Sequence, residues 1–244
     1  MTIALIGCGF VGSVFATEYA KRAYAGKLTV PVACLDDDTV SDRNAANQNF
    51  TLLDINKAKA FVVAESLRAM NGDAHHYQQR LTDTNANAWL ESIASDTGRP
   101  VSLLVNAVDN LATRQLVWRL GMTFGIPVLH LGLSEQGTGA VEWTTPVQDG
   151  YSLKPGNTVG KVISDPVSGV TPPCELVRLR SVGWNTSFAA AKAAAIYFGF
   201  DADSVTPTPK ESAGWATSWV GNPTGHAPLG ELHHVFTPAT KVAA

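Results

Sequence analysis

An apolar run, Thr2–Ile6, stops at Gly7-Cys8-Gly9-Phe10-Val11-Gly12, and a helical pattern starts directly behind it. In a strand–turn–helix unit each glycine has a separate reason. Gly7 permits the tight turn, Gly9 lets backbone approach a phosphate, and Gly12 lets the helix pack on the strand. Free N–H groups and the positive end of the helix dipole then face one spot, which favours an anion. The pattern therefore points to a phosphate-binding turn. A merely tight structural turn is the alternative, because many chains of this architecture share the spacing.

The rest of the first half repeats the same grammar. Residues 13–25 show helical spacing through Val14, Phe15, Tyr19, Ala20 and Ala23, and 28–35 is an apolar, β-branched run. Residues 57–70 form a second helical stretch with Ala60, Phe61, Ala64 and Leu67 on one face. Strands over 74–81, 101–108 and 127–133 alternate with helices over 86–95 and 112–124. Strands apolar on both faces, separated by helices, predict an α/β fold of Rossmann type. Its sheet is mostly parallel, with helices on both sides. After about residue 145 the texture changes: residues 146–173 hold five prolines and four glycines, the composition of an irregular crossover. A helix capped by Asn185 or Thr186 is expected up to 198, followed from Pro207 by a tail rich in Gly, Pro, Trp and His. Residues 1–145 are thus the expected nucleotide-binding core. Residues 146–244 supply a crossover, a helix and a C-terminal extension packed on the same domain.

Composition excludes several function classes. The 244 residues carry a net charge of −3 with no run of Lys or Arg longer than two, so no basic stripe for nucleic acid is present. No segment approaches the roughly 20 apolar residues of a membrane helix. The three cysteines, Cys8, Cys34 and Cys174, are far apart, which fits neither a disulfide framework nor a paired zinc site. A soluble cytoplasmic protein is the expectation. His75-His76 and His233-His234 are adjacent pairs, whose side chains on a strand point to opposite faces, and His130 reads as structural. Trp215, Trp219 and Phe236 in the tail read as a cover over the core or a subunit contact.

Downstream of the second strand comes Asp36-Asp37-Asp38. A carboxylate there can accept ribose hydroxyls of either NAD or ATP; Asp36 is the candidate, and Asp37 reads as a solvated acid. Asp36-Asp-Asp-Thr-Val40 is followed by Asn44, Gln48 and Asp54-Ile-Asn-Lys-Ala-Lys59, and later by Asp109-Asn110 with Thr113-Arg114. Gly132 and Gly137-Thr-Gly139 follow these in turn. In this order the motifs resemble the ThiF/MoeB/HesA family, which includes the ubiquitin-activating enzymes. There an Asp-x-Asp precedes Asn-Leu-x-Arg-Gln, a lysine and an Asp-Asn…Arg segment. The resemblance covers about residues 1–145, with an echo in the helix over 186–198.

The resemblance implies ATP-dependent adenylation of a C-terminal carboxylate on a small ubiquitin-like protein or peptide ending in glycine, with release of pyrophosphate. It assigns the turn (Gly7, Gly9, Phe10, Val11, Gly12) and Asp36 with Asp38 to the nucleotide. It assigns Lys59 to the phosphates, Asp109 to Mg²⁺, and Asn44 and Gln48 to the triphosphate. A homodimer is implied as well. Lys57 is a competing phosphate contact, Lys59 could be an ordinary exposed helix lysine, and Asp109 could be a helix N-cap. Where the family carries arginine this chain has Asn47, for which Arg43 is the nearby substitute. The family's zinc-binding Cys-x-x-Cys pairs do not occur, and the arginine its members carry on an N-terminal arm is expected to be absent or to come from elsewhere; in this the chain resembles the compact ThiF relatives of bacterial accessory clusters, including the plasmid-associated PRTRC group. Cys174 lies where some relatives place an acyl-accepting thiol; an ordinary loop cysteine is the alternative. Two other functions fit the turn: an NAD(P)-dependent oxidoreductase, and a non-catalytic nucleotide-binding scaffold.

Overall fold

The structure, a computed structural model, describes residues 1–26, 30–70, 72–133, 138–144, 215–220 and 233–235. The first strand, β1 (Thr2–Ile6), is buried along its whole length. It leads through the glycine turn into α1 (Phe10–Gly26), then β2 (Val32–Leu35) and a short α2 (Asp42–Asn47). A single 3₁₀ turn (Leu52–Asp54) precedes α3 (Lys59–Ala69), β3 (Ala74–Tyr77) and α4 (Ala86–Thr97). Next come β4 (Val101–Asn106), α5 (Leu111–Phe124), β5 (Val128–Leu133) and β6 (Thr138–Thr144). Two further strands, β7 (Trp215–Val220) and β8 (His233–Val235), complete one sheet in the order β3-β2-β1-β4-β5-β6-β7-β8.

Strands β3 to β5 in that order are parallel, and β6, β7 and β8 add on antiparallel. Alternation along each parallel strand splits its side chains between two cores. Ile3, Leu5, Cys34 and Val105 face α1 and α3, packing on Val14, Phe15, Ala60 and Leu67. Ala4, Ile6, Leu35 and Leu104 face α4 and α5, packing on Trp89, Ile93, Leu116 and Val117. Burying each of the larger apolar side chains stabilises the fold by about 1.5–3 kcal/mol. No described helix is long and apolar enough to cross a membrane.

The expected alternation and the mostly parallel sheet are observed, with shifts at the ends. Helix α1 starts at Phe10, not residue 13, because the glycine turn itself carries its first N–H groups: Ser13 N–H already donates to the Gly9 carbonyl at 2.9 Å. Strand β2 starts after Pro31, which has no N–H to donate, although its carbonyl accepts Ile3 N–H at 2.9 Å. Strand β3 ends at Tyr77 rather than 81. The tail contributes β7 and β8, each paired antiparallel to its neighbour. The crossover, the helix expected over 185–198 and Cys174 lie outside the described residues.

The chain leaves β1 toward β2 and β3 on one side, then returns to place β4 and β5 on the other. Between β1 and β4 the loops after the strands diverge and open a crevice, where ligands of such sheets bind.

Candidate functional site

The crevice is a cleft of about 510 Å³ lined by residues that follow the parallel strands. The glycine turn after β1 forms its floor. Gly7 has φ +90°, and a Cβ there would lie 2.8 Å from the Ala107 carbonyl carbon, so only glycine fits. A Cβ on Gly12 would lie 1.9 Å from the Gly7 carbonyl oxygen; Gly12 is the packing glycine and does not itself line the cleft. Gly9 is different: a Cβ there would meet only Gln48 Oε1 at 3.9 Å, so its missing side chain leaves the cleft open. Phe10 and Val11 line the cleft beside it.

Asp36, just beyond β2, ties this turn to its neighbour. Its carboxylate accepts Cys8 N–H at 2.7 Å and Asp38 N–H at 2.9 Å. Burial pushes its pKa above the ordinary carboxylate value, opposed by those two N–H groups and by Lys59. A carboxylate has about four lone-pair sites, so acceptor capacity remains for a ribose. Cys8 is fully buried, and burial together with Cys34 and Asp36 raises its thiol pKa, so it serves the turn through its backbone. Asp37 pairs with Arg80 at 3.2 Å at the exposed rim.

Lys59 opens α3, with its N–H on the Asp38 carbonyl at 3.0 Å and its Nζ 2.6 Å from Asp38 Oδ2. Its side chain is only 8% exposed and lines the cleft, which removes the reading of an exposed helix lysine. Lys57 is 47% exposed, pairs with Asp54 at 3.3 Å and does not line the cleft. Asn44 caps its own helix: its Oδ1 accepts Ser41 N–H at 3.0 Å, which leaves the amide Nδ2 for the cleft it lines. Gln48 is buried beside Gly9, and its Oε1 has no hydrogen-bond partner among the described residues. Arg43 is exposed on α2 and does not line the cleft; Asn47 closes that helix.

Asp109 is exposed and lines the cleft after β4. It is not the N-cap of α5: that role belongs to Asn110, whose side chain accepts Thr113 N–H at 2.8 Å. Asp109, one residue ahead of that cap, is among the residues lining the cleft.

Sequence reasoning missed part of the wall and its support. Gln79, Arg80 and Leu81 line the cleft after β3, and their position behind a parallel strand was the available signal. Arg114, buried on α5, donates to the Leu131 carbonyl at 2.7 Å and to the Val108 carbonyl, clamping the Asp109 loop against β5. Beneath it Asn106 Nδ2 meets His130 Nδ1 at 3.0 Å, on neighbouring strands in register. Burial and the nearby Arg114 charge lower the His130 pKa to about 3, so His130 is a neutral structural histidine. Among the described residues the only group of three potential metal-ligating side chains is Asp36, Asp37 and Asp38.

The arrangement offers backbone donors, a buried lysine and a carboxylate around one opening, the equipment for a bound polyphosphate. Comparison with known proteins fits this geometry. A search of curated proteins finds no match. Among solved structures, E. coli MccB with AMPCPP and MccA shares the fold at TM-score 0.66 and 15% identity, covering 100% of this chain and 65% of MccB. MccB with ATP gives TM-score 0.66 at 14% identity, with the same coverage. PaaA gives TM-score 0.58 at 14% identity, covering 97% of this chain and 64% of PaaA. This chain therefore spans just under two thirds of the length of these neighbours. The ThiF family model matches residues 1–173. That match takes in the glycine turn and every cleft residue discussed above, and the chain belongs to the ThiF family.

Proposed function

We propose that this chain binds ATP in the cleft and adenylates the C-terminal carboxylate of a peptide or small ubiquitin-like protein ending in glycine. One observation carries the reading: a buried lysine, Lys59, faces a glycine turn whose Gly9 leaves room for a phosphate. Family membership and the similarity to MccB, crystallised with ATP and with its peptide MccA, support the same chemistry.

In this reading the turn's N–H groups and the α1 dipole hold phosphate oxygens, and Lys59 neutralises charge on them. Asp36 accepts a ribose hydroxyl, with Asp38 beside it, and Asn44 and Gln48 steady the phosphate chain. The substrate carboxylate attacks the α-phosphorus, the bond to the bridging oxygen breaks, and pyrophosphate leaves with both its electrons. Positioning and charge stabilisation supply most of the rate.

Four acids (Asp36, Asp37, Asp38, Asp109) and three bases (Lys59, Arg80, Arg114) line the cleft. A polyanion entering such a surface calls for an added cation. Asp109, exposed in the cleft lining, would hold a Mg²⁺, which takes one or two carboxylates together with phosphate groups. Mg²⁺ there would neutralise charge on the leaving pyrophosphate. Residues 1–145 form the core of this activity and 146–244 an extension on it; a homodimer is part of the proposal. Whether Cys174 accepts the acyl group is decided by Cys174→Ser, which keeps adenylation and loses any thioester.

Incubation with ATP, Mg²⁺ and a small acceptor ending in Gly-Gly, followed by hydroxylamine, tests the reaction. Mass spectrometry then finds the acceptor hydroxamate if an acyl-adenylate formed. Unmodified acceptor, with ATP bound, would leave a nucleotide-binding scaffold; tight NADH binding without ATP binding would favour the oxidoreductase.

A further inference from the structure

We infer that Asp38 competes with the incoming phosphate for Lys59, so that the cleft selects ligands able to displace its carboxylate. This inference rests on the nucleotide reading above. The pair is tight, 2.6 Å between Lys59 Nζ and Asp38 Oδ2, yet its two members are unequally placed. Lys59 is 8% exposed and held inside the wall, whereas the Asp38 side chain is 63% exposed at the opening. The acid can therefore swing into water while the base stays.

The backbone around the pair is already fixed. Asp38 N–H donates to Asp36 Oδ1 at 2.9 Å, and the Asp38 carbonyl accepts Lys59 N–H at 3.0 Å. An antiparallel bridge between Thr39 and Ala58 joins the same two segments, and Val40 N–H reaches the Lys57 carbonyl at 2.8 Å. Releasing the side chain moves none of these. Only an exposed carboxylate has to leave; it returns to water while a phosphate takes its place on the lysine ammonium. A ligand that presses a phosphate against Lys59 opens the pair. A ligand that fills only the ribose and base end leaves it closed, and gains nothing from Lys59.

A double-mutant cycle on the full chain, at fixed salt and Mg²⁺, measures this with ATP and adenosine as probes. Asp38→Asn keeps the shape and the backbone bonds, and its circular dichroism and melting curve serve as the fold check. ATP should gain about three- to tenfold in affinity relative to adenosine in Asp38→Asn, a ratio that cancels any contact Asp38 makes at the ribose end. In a Lys59→Met background the same substitution should change that ratio by less than about twofold, which isolates the pair from long-range charge. An unchanged or smaller ATP-to-adenosine ratio in Asp38→Asn overturns the competition while leaving the nucleotide site intact. Equal tightening in both backgrounds also overturns it, because the gain then bypasses Lys59. If neither probe binds the folded wild type, the nucleotide reading itself fails and the competition with it.

Discussion

Gly9→Ala separates the phosphate cradle from the fold, and Gly12→Ala is its control. A Cβ on Gly9 meets only Gln48 Oε1, at 3.9 Å, an ordinary contact, and Gly9 is not in the left-handed region. Replacing such a glycine gains about 0.4–1 kcal/mol through the unfolded chain. The preference of an N-cap position for glycine over alanine offsets part of this. Net stability should therefore stay within about 1 kcal/mol of wild type. In the proposed function, however, the methyl group stands where a phosphate approaches backbone N–H groups. Losing one charge-assisted hydrogen bond costs about 1.5–3 kcal/mol, or roughly ten- to a hundredfold in ATP affinity. Gly12→Ala acts otherwise: its Cβ, 1.9 Å from the Gly7 carbonyl, falls about 1 Å short of the closest tolerable contact. Backbone has to move, and melting temperature should fall along with binding. Calorimetric ATP titration and thermal melts read both variants. Wild-type ATP affinity in Gly9→Ala would refute the placement of the phosphates in this turn.

Lys59→Met should cost at least about tenfold in ATP affinity, and Lys57→Met less than about twofold, because only Lys59 lines the cleft. His130, with its pKa near 3 in the fold against an ordinary 6.5, stays neutral while the unfolded chain takes up a proton. Stability from this residue is complete above pH 6.5 and is lost as pH falls toward 3. Denaturant titrations from pH 6 to 4 should thus show a slope that is shallower in His130→Gln by up to about 1.4 kcal/mol per pH unit. Asn110→Ala removes the α5 cap and should cost about 1 kcal/mol of stability in chemical denaturation.

Much of the core was legible because its signals are local. The run Thr2–Ile6, the glycine spacing and the alternation of buried strands with helices each lie within a short window, and the parallel sheet follows from them. Helix α2 was not legible: Asp-Arg-Asn-Ala-Ala-Asn is six residues with no apolar period, held by the Ser41–Asn44 capping box. Strands β7 and β8 are set by the pairing of β7 with β6, about 70 residues earlier in the chain, which no local pattern encodes. At the cleft, the motif order pointed to Lys59, but a lysine opening a helix reads as solvated, and its ion-pair partner Asp38 lies 21 residues away. Arg114 was visible as part of a motif. Its function as a clamp emerges only where α5 meets β5, since its acceptor Leu131 lies 17 residues further on.

ATP–pyrophosphate exchange reads the proposed adenylation step itself. Purified chain is incubated with ATP, Mg²⁺, labelled pyrophosphate and a small acceptor ending in Gly-Gly, beside Asp109→Ala and an acceptor lacking its last glycine. Label should enter ATP only with the intact acceptor, and the rate should fall at least about a hundredfold in Asp109→Ala, the residue proposed to hold Mg²⁺. Exchange that is undiminished in Asp109→Ala, or absent while ATP binds and the acceptor docks, would contradict the account.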